Sequence, residues 1–140
     1  MTAGSSRPAL ENLEGQTVDW KLELVVIPVS DVDRAKDFYV DRVGFHADHD
    51  HRVSESVRFV QLTPPGSACS IAFGEGLVEG EPGTVKGLQI VVADARVAHA
   101  ELSARGVDVS EVEELPWGTF VRFADPDGNE WALQELPARS

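Results

Sequence analysis

The 140-residue chain contains a single cysteine, Cys69, so no internal disulfide can form. Set in the apolar run "ACSIAF", that thiol reads as a small core residue of a protein kept in a reducing compartment, not as a nucleophile. Basic residues are also scarce. Only 12 Lys and Arg stand against 24 Asp and Glu, for a net charge of −12. Phosphate contacts need a basic face, so nucleic acid is excluded as an expected partner, and so is an anionic membrane surface. No apolar run reaches the length of a membrane span, and the start, "MTAGSSRPALENLEGQTVDW", lacks the apolar stretch of an export signal. The expected location is cytoplasmic.

What is present is ordinary for a soluble domain: 42% hydrophobic and 26% charged residues. A chain of this length is one domain that buries roughly two-thirds of the surface its unfolded form exposes. Residues 1–18 read as a flexible tail or docking arm, and 19–140 as the domain. The acidic balance would attract a cationic small molecule or simply keep the protein soluble.

Hydrophobic periodicity organises the rest. "KLELVVIPV" (21–29) reads as a buried strand, and Ser30 or Asp31 caps a helix that Gly44 ends. Val32, Ala35, Phe38 and Tyr39 share one face of that helix. Three strands are expected near 45–51, 56–62 and 68–73, with "TPPGS" turning between the last two. Residues 74–84, rich in Gly and Glu, form a linker. The pattern then restarts with "KGLQIVVAD", a helix stopped by Gly106, and strands near 107–112, 119–124 and 130–136. Asp31 and Asp94 lie 63 residues apart, and Gly44 and Gly106 lie 62 apart. The chain is therefore an α+β tandem duplication of a βαβββ unit (modules about 21–74 and 85–136), whose halves must pack together to share a core.

This repeat, with "VSDVDRAKDFYVDRVGF" in the first unit and "FADPDGNEWALQE" closing the second, resembles the vicinal oxygen chelate superfamily of glyoxalases, extradiol dioxygenases and bleomycin resistance proteins. The likeness spans about Leu22 to Glu135. It implies two modules whose sheets curl into an incomplete barrel around a pocket, commonly in a homodimer. In metal-using members, His, Gln or Glu side chains from four strands would hold a divalent ion with open positions for two substrate oxygens. Laid on this chain, those positions fall at Leu24, Ala72, Gly87 and Ala132, none of which carries a donor. A one-residue shift brings in Val25, Leu88 and Trp131 and restores nothing. The chain is expected to lack the metal and to need no cofactor. The acids of "DPDG", Asp125 and Asp127, then shape a turn.

Without the ion, the resemblance implies a wider, apolar pocket for a bulky organic ligand. Strand alternation assigns to it Leu24, Val26, Ser70, Ala72, Gly87, Gln89, Val91, Ala132 and Gln134, with Trp117 and Phe120 as an aromatic wall or as ordinary packing. Gln89 and Gln134 stand out, because an amide in a strand interior needs a partner or a ligand. "FHADHDHRV" carries His46, His49 and His51, read either as a solvated edge strand or as a ligand-gating or acid–base group. His99 reads as a helix-face residue.

Three functions remain open. One is a metal-free protein that sequesters a hydrophobic or cationic small molecule. Another is a cofactor-free isomerase, cyclase or lyase acting on an aromatic or polyketide-like substrate, with Glu130, His49 or Arg122 as acid–base groups. The third is a metal-dependent lyase or dioxygenase, which the four substitutions oppose.

Overall fold

The computed structural model describes residues 18–138, so all of the expected tail except Val18 lies outside the described residues. Two four-stranded mixed sheets carry the fold, and neither closes into a barrel. Sheet 1 contains β1 (Leu24–Val26), β2 (His46–Arg52), β3 (Arg58–Thr63) and β4 (Ser70–Glu75), in the order β1-β4-β3-β2. Sheet 2 repeats it with β5 (Lys86–Val91), β6 (Glu113–Leu115), β7 (Gly118–Ala124) and β8 (Glu130–Glu135), in the order β5-β8-β7-β6. In each sheet the first strand lies parallel to the last. A helix makes the crossover that a parallel pair requires.

Local chemistry places both helices. The Asp31 carboxylate accepts from Arg34 N at 3.0 Å and starts α1 (Val32–Asp37). The Asp94 carboxylate accepts from Arg96 N and Val97 N and starts α2 (Ala95–Ala104). Past Asp37 the first helix widens into a π-helical stretch, Phe38–Val43. There Gly44 N and Phe45 N both donate to Tyr39 O, and Gly44 at φ 98° ends the helix.

Several strand limits differ from those expected. β1 spans only three residues because it pairs solely with β4, which begins at Ser70, and Pro28 has no N–H to continue the ladder. Residues 107–112 are not a strand. The Arg122 amide that would bond a carbonyl in a ladder donates instead to the Ser110 hydroxyl, at 2.8 Å. Regular pairing with β7 starts at Glu113. The expected linker is tied down: a Cβ on Gly83 would lie 2.0 Å from Asp127 O, so only glycine fits there.

The two modules share one core. Val60, Leu62, Ile71 and Phe73 of sheet 1 join Val121, Phe123, Trp131 and Leu133 of sheet 2 in a single cluster with Tyr39, Phe45 and Leu102. Tyr39 stacks on Phe45 and meets Trp131 edge-on, with ring centres 5.5 and 5.9 Å away. Beside these rings lies a buried hydrogen-bond staple. Asp125 Oδ2 accepts from Tyr39 OH and from Asn129 Nδ2, each at 2.8 Å, and Asp125 Oδ1 accepts from Asp127 N and Asn129 N. Tyr39 OH accepts from Trp131 Nε1 at 2.9 Å, and Asn129 Nδ2 also reaches Pro28 O. Burial, and then the adjacent Asp125 carboxylate, push the Tyr39 phenol far above its usual range, so it stays protonated and donates. The "DPDGN" turn thus bolts the second module to the first.

Candidate functional site

Because side chains alternate along a strand, the residues between the core positions form an outer face on each sheet. Both core faces meet the same cluster, so within one chain the outer faces are turned away from one another. The candidate pocket residues divide accordingly. Leu24, Val26, Ser70 and Ala72 lie on the outer face of sheet 1, with Leu24 beside Ser70 and Val26 beside Ala72. Gly87, Gln89, Val91, Phe120, Ala132 and Gln134 lie on the outer face of sheet 2. The cavity on sheet 2 takes none of its lining from the sheet 1 set.

Sheet 2 carries a cavity of about 490 Å³. Gly87, Gln89 and Ala132 line it together with Lys86, Arg122 and Glu130 from neighbouring strands, and Asp108 and Ser110 from the segment before β6. Gly87 leaves real room, since a Cβ built on it meets nothing within 4 Å. Val91, Trp117, Phe120 and Gln134 lie farther along the same sheet, outside that lining. Trp117 is 59% exposed, whereas Phe120 is buried under the Arg122 guanidinium, 5.2 Å above its ring. Arg122 is aimed by Glu113, at 2.7 Å. The two amides satisfy one another: Gln89 Nε2 donates to Gln134 Oε1 at 2.6 Å, and Gln134 Nε2 donates to Trp117 O at 2.9 Å. The lining mixes Lys86 and Arg122 with Asp108 and Glu130, so the chain's negative excess is not concentrated there.

The outer face of sheet 1 has a polar ladder that the sequence reading missed. The Thr63 hydroxyl donates to Asp48 and lies 2.6 Å from Ser70 Oγ, to which Gln61 Nε2 donates at 3.4 Å. The Thr63 hydroxyl first, and His46 second, hold the Asp48 carboxyl below its usual range. The signal was present in "VRFVQLT", where Val60 and Leu62 enter the core and Gln61 and Thr63 must face outward. His49 and His51 share this face, and His99 lies on α2. Of the three candidate acid–base groups, Glu130 and Arg122 share the sheet 2 cavity and His49 does not.

The four positions that the resemblance assigns to a metal are Leu24 and Ala72 on sheet 1 and Gly87 and Ala132 on sheet 2, and none of their side chains has a donor atom. Among the described residues, no three His, Cys, Asp or Glu side chains converge where an ion could sit. The residues present do not fit such a metal. No described helix is long and apolar enough to cross a membrane.

The sequence model of the Glyoxalase/Bleomycin resistance protein/Dioxygenase superfamily matches residues 21–133. The crystal structure of TnmS3, an antibiotic binding protein from Streptomyces sp. CB03234, superposes with a TM-score of 0.79 at 34% identity, covering 87% of this chain and 100% of that one. A glyoxalase/bleomycin resistance protein from the same organism gives 0.73 at 36% identity, over 82% of this chain and 100% of that one. A superfamily member from Sphaerobacter thermophilus gives 0.75 at 34% identity, over 84% and 98%.

Proposed function

Because the chain belongs to the glyoxalase/bleomycin resistance protein/dioxygenase superfamily, we propose that it is a metal-free binding protein for a bulky, largely apolar, antibiotic-like small molecule. The ligand rests on the outer face of sheet 2, over Gly87 and Ala132. The observation that carries this reading is the replacement of all four metal-ligand positions by side chains without donors, two of which, Gly87 and Ala132, line the cavity of about 490 Å³. Its volume is within the range of drug-sized sites. The likeness to an antibiotic binding protein supports the same class of ligand.

A second copy of the chain completes the site. One protomer's sheet 1 outer face covers the partner's sheet 2 outer face, joining two residue sets that a single chain keeps apart. The exposed apolar side chains Trp20, Leu22, Val91 and Trp117 support this cover. The cytoplasm is the proposed compartment, in keeping with the single free thiol. The cofactor-free enzyme reading retains only Glu130 and Arg122 in the cavity, and each is engaged by an ion pair, with Lys86 and Glu113 respectively.

The test is a thermal-shift screen of bulky aromatic and cationic antibiotics, bleomycin included, against chelator-treated protein. A ligand at a hundred times its Kd adds about 2.7 kcal/mol to the folded state, a rise of about 8–10 °C for a chain of this size. Gly87→Phe, which enters open space, should abolish the shift while leaving the ligand-free melting temperature in place. Shifts that persist in Gly87→Phe would sink the assignment of this cavity. Light scattering should give a dimer.

A further inference from the structure

Away from the sheet 2 cavity, β2 carries three histidines within seven residues. Its pairing runs His46 with Thr63, Ala47 with Leu62 and His49 with Gln61, so Asp48 is an extra, bulged residue. The bulge changes the facing of the strand. His46 and His49, three apart, would point to opposite sides of a regular strand, but here they share the outer face with His51. His49 and His51 stand with ring centres 5.6 Å apart and planes tilted by 30°. The His46 ring is engaged by Asp48 at 2.9 Å and, among the described residues, is alone of the three rings in having a hydrogen-bond partner.

We propose that His49 and His51 form a surface site for a divalent transition cation, each ring giving one nitrogen. A cation bound about 2.0–2.1 Å from an imidazole nitrogen lies about 3 Å from that ring's centre. Two ring centres 5.6 Å apart lie within the span that one shared ion bridges at an open angle. Imidazole nitrogens select copper, nickel or zinc over calcium or magnesium, and copper binds tightest in the divalent series. Neighbouring carboxylates are committed elsewhere. Asp48 is held by Thr63 and His46, and Asp50 is turned to the core side of the sheet, where Arg58 and Lys36 hold it. The remaining coordination positions are open to water or to a donor on a second molecule. None of Leu24, Ala72, Gly87 or Ala132 takes part, because β2 is the edge of sheet 1 opposite β1. As the edge strand, β2 sets the pair at the rim of the sheet 1 face that the proposed second copy would cover, and the cation site does not need that cover.

Untagged, chelator-stripped, full-length protein titrated with copper(II) chloride tests it by calorimetry and electron paramagnetic resonance. The expected result is one equivalent bound, with hyperfine coupling from two imidazole nitrogens. His49→Asn and His51→Asn should each weaken binding at least about tenfold, and His46→Asn should leave it unchanged. All three side chains are exposed, and circular dichroism confirms that each variant is folded. The absence of a one-to-one isotherm, or an affinity that neither His49→Asn nor His51→Asn alters, would overturn the site. Equal dependence on His46 would overturn the assignment to this pair.

Discussion

Replacing Tyr39 by Phe removes a single oxygen from the contact between the modules and keeps the ring. That oxygen donates to Asp125 Oδ2 at 2.8 Å and accepts from Trp131 Nε1 at 2.9 Å. Its loss leaves a buried indole N–H without an acceptor, which costs about 1–3 kcal/mol. It also removes a hydrogen bond to a carboxylate, worth about 1.5–3 kcal/mol. Relaxation recovers part of the total, and a net loss of about 3–5 kcal/mol is expected. Each kcal/mol lowers the melting temperature of a chain this long by about 3.4 °C, so Tyr39→Phe should melt about 10–17 °C lower. Urea unfolding followed by tryptophan fluorescence should show a lower midpoint with an unchanged slope. A loss below about 1 kcal/mol, less than the cost of one orphaned buried donor, would refute the staple as what joins the modules.

Two strand glycines should respond in opposite ways to the same change. A Cβ at Gly74 would lie 1.8 Å from the Arg58 carbonyl oxygen, so Gly74→Ala must push β3 and β4 apart and should cost about 1–3 kcal/mol in urea unfolding. Gly87→Ala meets nothing within 4 Å and should be neutral or slightly stabilising. Acid sensitivity should depend on Asp50, whose carboxyl is held well below its usual range by hydrogen bonds from Arg58 and then Lys36. A depressed folded-state pKa gives stability that is present above the unfolded carboxylate value, about pH 4, and is lost as pH falls below it. Asp50→Asn should therefore be less stable than the parent at pH 7, with the gap closing between pH 4 and pH 2.

The duplication was legible because its punctuation is local. Asp31 and Asp94 cap helices by bonding their own next turn, and Gly44 and Gly106 stop them with a positive φ. Strand limits that depend on a distant partner were harder to read. β1 is short because β4 begins at Ser70, and 107–112 stays irregular because the Ser110 hydroxyl takes an amide of β7. Alternation assigned residues to faces, yet it could not tell which way a whole face looks. That is set by contacts such as Trp131 with Tyr39, 92 positions apart. Gln89 and Gln134 stand out in the sequence as amides that need a partner or a ligand, and in the structure they bond one another. The Asp48 bulge left no pattern to read, since one inserted residue reverses the facing of everything beyond it.

The most direct measurement is a calorimetric titration with the antibiotic giving the largest thermal shift, run on the His49→Asn variant so that the surface histidines do not interfere. It is performed once in excess EDTA and once with an equivalent of zinc or nickel. Equal affinity and stoichiometry in both solutions is the predicted result. Binding that vanishes in EDTA and returns with one equivalent of metal would contradict the account.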